Sequence, residues 1–370
     1  MTDTAPVAEK KKIRVGIIGL GFIARGKHLP GLASLSDEVD IIAFCDFEQE
    51  KCDEYIAQYG VEGSYTTNDW KQVVADETLD VIHVCTWNVS HAEITCAALE
   101  AGKHVLCEKP MAISSEEAKL MVETAKKTGK ILSIGYQNRY RPDVQMARKA
   151  VDEGLLGDIY VGKAHAIRRR GVPTWGVFTD VEKQGGGPLI DIGTHALDLS
   201  LWLMGNYEVD SVSGSVFHKI ADIPYGDAGS NFPQDNFSTE DSAFGYIKMK
   251  NGAMIFLEAA WAINFAHSRE AAVTLAGTKG GVELDHDGGP YEATINNVVA
   301  GRTVLTKSDA GRFFSPGAAA AGDAENEAKA FYGAVKGESE LVVKPEQALV
   351  VTQILEAIYA SSKSGEPVKF

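Results

Sequence analysis

The sequence predicts an α/β domain with a doubly wound parallel sheet, followed by an α+β domain with a large, mostly antiparallel, open-faced sheet. Up to about residue 135, short and nearly continuous apolar runs alternate with helical patterns, as in parallel sheets that are covered on both faces. After that point the runs are longer, alternate between apolar and polar residues and have few helices between them. A length of 370 residues fits two domains. We therefore expect a polar tail at 1–12, the parallel-sheet domain at 13–135 and the α+β domain at 136–370.

The first domain is predicted from five strands and from the helices between them. The predicted strands lie at 13–18, 39–45, 80–85, 104–107 and 130–135. Two predicted helices, 91–102 and 114–129, each end in a glycine, which is the usual residue after a helix C-terminus. The second of them also begins with the Ser and Glu pattern of a capping box.

The second domain is predicted from longer alternating runs, at 209–220, 241–252, 253–263, 270–284 and 292–306. Further elements are predicted at 142–154 (a helix), 158–170 (a strand) and 316–328 (a loop leading into a helix). The pair Asn251-Gly252 is a strong hairpin signal. We expect one face of this sheet to be solvated and the other to be covered by helices. A closing helix is predicted at 345–363, and the sequence leaves open whether it packs back on the first domain.

The overall charge excludes some classes of partner. A net charge of −15 and a pI near 5.1 argue against nucleic acid and anionic membranes, whose phosphates would be repelled. The polar N-terminus has no apolar signal core, and no run approaches the roughly 18 apolar residues of a membrane span. We therefore expect a cytoplasmic protein. Five cysteines without a C-x-x-C pair argue against a disulfide framework or a zinc ribbon.

A glycine motif follows directly on the first predicted strand. Gly19, Gly21 and Ala24 form a G-x-G-x-x-A pattern at the start of a helix, with Phe22 and Ile23 inside it. Gly19 permits a tight turn, Gly21 lets the backbone approach a pyrophosphate, and Ala24 allows the helix to pack closely on the strand. Because a strand precedes the motif and a helix follows it, these residues are predicted to bind a dinucleotide.

An acidic residue, Asp46, follows the second predicted strand. Its carboxylate is placed to accept hydrogen bonds from the ribose hydroxyls of a dinucleotide. A 2′-phosphate would be repelled there, and no basic residue follows before Lys51. NAD is therefore favoured over NADP as the cofactor. The alternative interpretation is a turn aspartate at a strand end.

Three residues form a candidate catalytic set. The stretch C-E-K-P-M-A places Lys109 directly after a buried strand, where an inward-facing ammonium would stabilise a developing alkoxide. Asp191 and His195 lie four apart on a predicted helix, so their side chains share a face. A histidine, with an unperturbed pKa of about 6.5, suits a base that takes the proton of a hydroxyl while hydride leaves the same carbon. Asp191 would orient the imidazole or hold a neighbouring hydroxyl.

Two alternatives exist for this set. Asp191, His195 and Asp198 are also compatible with metal ligation, although the spacing D-x₃-H-x₂-D is not a specific zinc pattern. The other alternative is a structural polar cluster with satisfied hydrogen bonds. Four other histidines lack comparable partners and are expected to be structural: His28, His83, His104 and His165.

On these motifs the sequence resembles the glucose–fructose oxidoreductase / inositol dehydrogenase (Gfo/Idh/MocA) family, with matching stretches at 13–24, 86–112 and 185–199. The order of E-K-P followed by D-x₃-H is specific to that family. The resemblance implies a Rossmann domain, a sheet domain that often mediates oligomerisation, and nicotinamide-dependent oxidation or reduction of a sugar or cyclic polyol. It implies the same catalytic residues, and it implies that the dinucleotide is lined by Thr86, Asn88, His91, Glu108 and Lys109.

One position departs from the family pattern. Trp87 stands where the family commonly has a proline, so an indole is expected to press on the nicotinamide ribose or to narrow the substrate entrance. Substrate contacts are predicted for Asn138 and Arg139 after the last strand of the first domain, and for Arg170 and Trp175, an arginine and an aromatic wall of the kind that stacks on sugar rings. The alternative is a basic strand end with a structural tryptophan.

The predicted function is that of an NAD-dependent dehydrogenase acting on a sugar, glycoside or inositol-like polyol, in which His195 is the general acid/base. Two alternatives differ in class: an NAD-using glycoside hydrolase or lyase that oxidises a ring hydroxyl transiently, and a non-catalytic sensor of dinucleotide. The expected assembly is a dimer or tetramer formed through the second sheet. No bound metal is expected.

Overall fold

The computed structural model describes residues 11–220, 237–285, 291–308 and 319–370, with the side chains of the last range from residue 323. Most of the predicted polar tail lies outside the described residues. The described chain forms a six-stranded parallel sheet and a nine-stranded, mostly antiparallel sheet. The predicted fold class is therefore confirmed.

The parallel sheet lies in the first part of the chain. Its strands are β1 (Ile13–Ile18), β2 (Val39–Cys45), β3 (Tyr65–Thr67), β4 (Val81–Val84), β5 (His104–Cys107) and β6 (Leu132–Ile134). The spatial order is β3-β2-β1-β4-β5-β6. Strands β2 and β3 are therefore added on one side of β1 and strands β4 to β6 on the other, so the strand order switches between β1 and β4. Ligands bind at such a switch point, outside the carboxyl ends of the strands. The sequence does not predict β3, because three residues are too few to show a period.

Helices cover both faces of this sheet. They are α1 (Leu29–Ala33), α2 (Gln49–Tyr59), α3 (Trp70–Ala75), α4 (His91–Glu100) and α5 (Ser115–Thr128). A π-helical turn at Ala24–His28 leads into α1. The predicted cap of α5 is confirmed, since Ser114 Oγ accepts a hydrogen bond from the Glu117 N–H at 3.2 Å. Gly129 ends that helix in the left-handed region.

The second sheet has the strands β7 (Ile159–Ile167), β8 (Val209–Phe217), β9 (Ser242–Met249), β10 (Met254–Ala260), β11 (Arg269–Gly277), β12 (Gly280–Asp285), β13 (Glu292–Val299), β14 (Arg302–Lys307) and β15 (Val368–Lys369). Their order is β14-β13-β12-β11-β7-β10-β9-β8-β15, and only β7 and β10 pair in parallel. The hairpin predicted at Asn251-Gly252 is confirmed between β9 and β10.

Two runs that read as continuous in the sequence are hairpins. The run 270–284 divides into β11 and β12, and the run 292–306 divides into β13 and β14. The second turn places both Ala300 and Gly301 at positive φ. Glycines mark both turns, Gly277 and Gly280 in the first and Gly301 in the second, and they are the sequence signal that divides each run.

The remaining helices are α6 (Pro142–Asp152), α7 (Val181–Gln184), α8 (Thr194–Met204), α9 (Ala319–Val335) and α10 (Pro345–Ser364). The closing helix α10 lies on β8 and also packs on α5 of the first part, where Lys126 and Glu346 form an ion pair of 3.1 Å. Through this contact the closing helix lies against the first part of the chain. α9 also crosses over, since it packs on α1. It begins inside the stretch 316–328, whose first three residues lie outside the described part.

Within the described ranges, no helix is both long and apolar enough to cross a bilayer. The five cysteines are free, and only Cys96 is more than slightly exposed. Burial raises the pKa of Cys45 to about 12, so this thiol stays protonated.

Candidate active site

The glycine motif forms an open cradle at the end of β1. Gly19 has a φ of +90°, and a Cβ there would lie 2.5 Å from the carbonyl oxygen of Cys85, so no other residue fits. A Cβ on Gly21 would meet nothing within 4 Å, which leaves space for a ligand directly over the backbone. Ala24 is fully buried at the start of the π turn, whereas the ring of Phe22 is 72% exposed.

The carboxylate of Asp46 is tied to this cradle. Its Oδ2 accepts a hydrogen bond from the Leu20 N–H at 2.7 Å, and its Oδ1 accepts one from the Glu48 N–H at 3.0 Å. The negative charge therefore lies beside the glycine turn at the carboxyl edge of the sheet. Open space over Gly21 next to this carboxylate fits the diphosphate and ribose of a dinucleotide.

Lys109 reaches from the loop after β5 to the second part of the chain. Its Nζ donates hydrogen bonds to the Asp191 backbone oxygen at 2.9 Å and to Asp191 Oδ1 at 3.0 Å. The peptide bond between Lys109 and Pro110 is cis. The structure thus brings together two of the three residues predicted to be catalytic.

Asp191 belongs to a π-helical turn, Leu189–Gly193, that leads into α8. The sequence predicts a single α-helix here, and π turns often occur at functional sites. The indole N–H of Trp261 donates to Asp191 Oδ2 at 3.1 Å, so both carboxylate oxygens have a donor. Burial alone would raise the pKa of Asp191, but the charges of Lys109 and Arg168 outweigh it and lower that pKa.

His195 lies in the first turn of α8 and is only 9% exposed. Its ring packs edge-on against Tyr136, with the ring centroids 6.3 Å apart. Its Nδ1 is buried, and no partner for it is found in the described part of the chain. Burial, and next the charge of Lys109, lower the pKa of His195 to about 3. The imidazole is therefore neutral at physiological pH, which is the form that accepts a proton.

The loop after β4 supports the Lys109 turn. His91 is buried and places its Nδ1 at 2.8 Å from the Pro110 carbonyl oxygen and its Nε2 at 3.1 Å from that of Thr86. The Asn88 side chain is also buried and donates to the Gln184 carbonyl at 3.0 Å. Glu108 is 3% exposed and faces inward. Of the residues that the family resemblance placed along the dinucleotide, His91, Asn88 and Glu108 thus have buried side chains with protein partners.

Trp87 lies at the surface beside the cradle and is 45% exposed. Its ring centroid is 6.3 Å from that of Phe47, which follows Asp46, and the Lys183 ammonium lies 5.1 Å from its ring. The indole therefore lines the carboxyl edge of the sheet between β2 and β4.

One predicted substrate residue and one candidate metal ligand, Arg139 and Asp198, bind each other. The guanidinium of Arg139 is fully buried and binds both carboxylate oxygens of Asp198, at 2.9 and 2.6 Å. We therefore correct Arg139 from a substrate contact to a structural residue. Because both carboxylate oxygens of Asp198 accept hydrogen bonds from Arg139, this pairing argues against Asp198 as a metal ligand. Within the described residues, no cluster of His, Cys, Asp or Glu that could hold a metal ion is found.

The other predicted substrate residues lie nearer the surface. The Arg170 guanidinium donates to the Ile263 carbonyl at 2.9 Å and to Asn264 Oδ1 at 2.5 Å, so it braces the segment after β10. Trp175 is 59% exposed. Asn138 is half-buried in a short 3₁₀ helix.

Sequence reasoning missed two residues of the site. Trp261 is fully buried at the end of β10 and holds Asp191. Arg168 follows β7, forms a two-point ion pair with Glu270 and helps to lower the pKa of Asp191. The only signal for Trp261 is that a buried indole N–H needs an acceptor. Arg168 is the first of three consecutive arginines, 168–170, and the sequence does not indicate which of the three side chains faces inward.

Comparison with known proteins supports the resemblance. A family model described as an oxidoreductase family, NAD-binding Rossmann fold, matches residues 13–136, and the model of that family's C-terminal alpha/beta domain matches residues 148–370. D-glucoside 3-dehydrogenase of Escherichia coli (strain K12) is 34% identical over 359 residues, which cover 96% of this chain and 97% of that protein. Levoglucosan dehydrogenase of Pseudarthrobacter phenanthrenivorans is 28% identical over 299 residues, 75% of this chain and 74% of that protein.

The fold has a match among solved structures. The crystal structure of an oxidoreductase domain protein from Kribbella flavida, 23% identical in sequence, superimposes with a TM-score of 0.83 over 97% of this chain and 99% of that one. These two relatives are sugar dehydrogenases by name, and the family model of the N-terminal part describes an NAD-binding Rossmann fold. The chain belongs to the Gfo/Idh/MocA family of oxidoreductases.

Proposed function

We propose that this protein is an NAD-dependent oxidoreductase that transfers hydride between the nicotinamide and a ring hydroxyl or ketone of a sugar, glycoside or inositol-like polyol. The observation that carries the proposal is the 3.0 Å contact between the Lys109 ammonium and the Asp191 carboxylate, next to a buried and neutral His195. An ammonium can stabilise the negative charge that develops on the reacting oxygen, and a neutral imidazole can accept the hydroxyl proton.

Each residue has a separate role in this proposal. Lys109 donates a hydrogen bond to the reacting oxygen and stabilises the negative charge that develops on it. His195 takes the hydroxyl proton during oxidation and returns it during reduction. Asp191, itself held by Trp261, orients the ammonium towards the substrate. NAD, when bound, supplies the hydride acceptor.

We infer that the cofactor is NAD rather than NADP. The Asp46 carboxylate lies at the cradle and is fixed there by two backbone N–H groups. A 2′-phosphate at this position would meet a like charge. The open space above Gly21 supports close approach of the diphosphate to the backbone.

The substrate class we favour is a pyranoside, because the relatives that resemble this chain over three quarters or more of its length act on D-glucosides and levoglucosan. The exposed ring of Trp175 is our candidate for stacking on the sugar. Arg170 and Asn138 are our candidates for its polar contacts. Activity with inositols would indicate that the protein also accepts cyclic polyols.

We also infer a homo-oligomer assembled through the open face of the second sheet. This face carries four aromatic side chains in two touching pairs: Phe217 with Phe244, and Tyr246 with Phe256. Three of them are 39–44% exposed, and contiguous exposed apolar side chains often mark an interaction surface. Burial of these rings against a second copy would remove the apolar patch from water.

The direct test is NADH formation by the purified wild-type protein with NAD and a panel of methyl glucosides, free aldoses and inositols. We expect NADH absorbance to grow with at least one pyranoside. Absence of NADH with every member of the panel, together with cofactor that co-purifies and does not exchange, would instead identify the hydrolase or lyase class.

A further inference from the structure

A chain of buried polar side chains lies behind the Lys109 peptide. Its members are Lys27, His28, His83, Glu108, Glu327 and Tyr332, and each is at most 6% exposed. We call this set the Glu108 network. None of its side chains takes part in the proposed chemistry, and burying so many polar groups is costly unless they bind one another.

The Glu108 carboxylate is the centre of the network. Its Oε1 contacts the Lys27 ammonium and lies 2.8 Å from His28 Nε2. Its Oε2 accepts the backbone N–H of Lys109 at 3.2 Å. Burial alone would raise the pKa of Glu108, but the charge of Lys27 and the His28 hydrogen bond lower it well below its usual range. The carboxylate is therefore ionised and can only accept hydrogen bonds, so His28 donates through Nε2.

The network continues to helix α9. His28 Nδ1 lies 2.8 Å from His83 Nδ1, and His83 Nε2 lies 2.9 Å from the Tyr332 hydroxyl. Lys27 forms a second ion pair with Glu327 at 2.8 Å. Tyr332 and Glu327 both belong to α9, so this helix fixes the side chains that in turn fix Glu108.

Two π-helical turns contact consecutive residues, Glu108 and Lys109, in the loop after β5, which we call the catalytic loop. Lys27 and His28 lie on the turn Ala24–His28 and hold Glu108, whereas Asp191 lies on the turn Leu189–Gly193 and holds Lys109. The extra residue in a π turn re-aims the side chains within it. The loop is thus held from both parts of the chain.

The space around Glu108 is tightly filled. A Cβ added to Gly135, at the end of β6, would lie 2.7 Å from Glu108 Oε1 and 2.9 Å from Lys27 Nζ. No side chain fits beside this ion pair without displacing the carboxylate. Both oxygens of the Glu108 carboxylate already have protein partners, Lys27 and His28 at Oε1 and the backbone N–H of Lys109 at Oε2.

We propose that Glu108 is a positioning residue for Lys109 rather than a contact to the cofactor, and that His28, His83 and Tyr332 keep its carboxylate in place. The carboxylate fixes the Lys109 backbone N–H, and the ammonium then meets Asp191. This inference rests on the proposed function. It changes the role of Glu108 that the family resemblance implied, because a lining residue would affect cofactor affinity and a positioning residue affects turnover.

The test compares Glu108→Gln and Tyr332→Phe with wild type and with Tyr65→Phe. The control removes a tyrosine hydroxyl that is hydrogen-bonded to Asp76, elsewhere in the same domain. For each protein we would measure kcat, the KM for NAD, thermal unfolding, and amide hydrogen exchange of the peptide that contains Lys109. Amide exchange reports on the backbone whether or not the protein turns over any substrate. A failure of the positioning role of Glu108 can therefore be distinguished from a failure of the proposed dehydrogenase function.

We expect Glu108→Gln to lower kcat by about 10- to 100-fold, since small displacements of a catalytic group are costly, and to change the KM for NAD by less than about threefold. Exchange at Lys109 should become faster. Tyr332→Phe should lower kcat in the same way by about two- to fivefold, because a neutral hydrogen bond is worth about 1 kcal/mol. Tyr65→Phe should leave kcat and the exchange rate unchanged.

Two results would overturn the proposal. A Glu108→Gln protein with normal kcat and a raised KM for NAD would make Glu108 a cofactor contact. Unchanged exchange at Lys109 in Glu108→Gln, or in Tyr332→Phe if the first variant does not fold, would show that the network does not hold the peptide. If wild type produces no NADH while exchange responds as expected, only the proposed function fails.

Discussion

The ammonium of Lys109 lies 3.0 Å from the carboxylate of Asp191 and 2.9 Å from the backbone oxygen of the same residue. These two residues are 82 positions apart and belong to different parts of the chain. Trp261 holds the other carboxylate oxygen, at 3.1 Å. The contact therefore fixes the catalytic loop of the first sheet against the π turn that leads into α8.

Replacement of Asp191 by asparagine tests the charge in this contact. The amide oxygen of the variant side chain can still accept a hydrogen bond from Trp261, but the neutral amide no longer attracts the ammonium, so Lys109 should lose its orientation. We expect Asp191→Asn to lower kcat by about 10- to 100-fold, in the range of other oriented acid/base groups, with the KM for NAD nearly unchanged. Steady-state kinetics give both values. Wild-type kcat in this variant would show that the ion pair is only structural.

Two glycines of the cradle should respond differently to alanine. Gly21→Ala adds a methyl group into open space, so the unfolding temperature should stay the same while the Kd for NAD rises by about tenfold or more, because the methyl group occupies the path of the diphosphate. Gly19→Ala should destabilise the fold itself, since φ is +90° and the Cβ would collide with the Cys85 carbonyl. Fluorescence titration and thermal unfolding measure the two effects. Equal affinity for NAD in Gly21→Ala would place the cofactor elsewhere.

The choice between NAD and NADP should depend on Asp46. Asp46→Ser removes the negative charge but keeps a hydroxyl that can accept a backbone N–H. We expect the ratio of kcat/KM for NAD over NADP to fall by about tenfold or more, as about 1.4 kcal/mol of repulsion is lost. Asp53→Ser is the control, because Asp53 is an exposed acid on α2. An unchanged ratio in Asp46→Ser would show that Asp46 does not face the 2′ position.

Acid stability should depend on His195. Its pKa is about 3 in the folded protein and about 6.5 when unfolded, so between these values the unfolded chain binds the extra proton. This contribution to the free energy of unfolding is fully present above pH 6.5 and is lost as the pH falls towards 3. It amounts to at most about 1.4 kcal/mol per pH unit.

The His195→Asn protein should therefore lose less stability than wild type when the pH is lowered from 6.5 to 4.5, as measured by urea unfolding at each pH. His104→Asn is the comparison, since burial and the Lys130 charge lower the pKa of His104 but that ring is only half-buried. A smaller effect is expected there. If His195→Asn follows the wild-type curve, the imidazole is already hydrated in the folded protein.

The sequence predicts those parts of the site that follow from local patterns. The glycine cradle, Asp46 and Lys109 each come directly after a strand, and parallel strands bring their carboxyl ends to one edge of the sheet. The sequence groups Lys109, Asp191 and His195 in one catalytic set, but it assigns Asp191 to the imidazole or to a substrate hydroxyl. In the structure the two carboxylate oxygens of Asp191 instead bind Lys109 and Trp261. The ends of strands and the faces of amphipathic helices can both be predicted from the spacing of nearby apolar residues, and a single sequence shows that spacing well.

Residues that act through tertiary contacts are not predicted. Trp261 and Arg168 join the site only because β7 and β10 lie next to each other in the second sheet. His28 and His83 are structural in the sense predicted, yet their role depends on Tyr332, about 250 residues further along the chain. The sequence favours a substrate contact for Arg139 because an arginine after a strand is usually exposed, whereas Asp198 makes its burial possible.

The central claim is that Lys109 and His195 act on a substrate hydroxyl beside bound NAD. The most direct measurement compares NADH formation and NAD affinity in wild type, Lys109→Ala and His195→Asn with one accepted pyranoside. We expect both variants to bind NAD within about threefold of wild type and to lose about 100- to 1,000-fold in kcat, as for other groups that stabilise developing charge. Substantial NADH formation by Lys109→Ala would contradict the account.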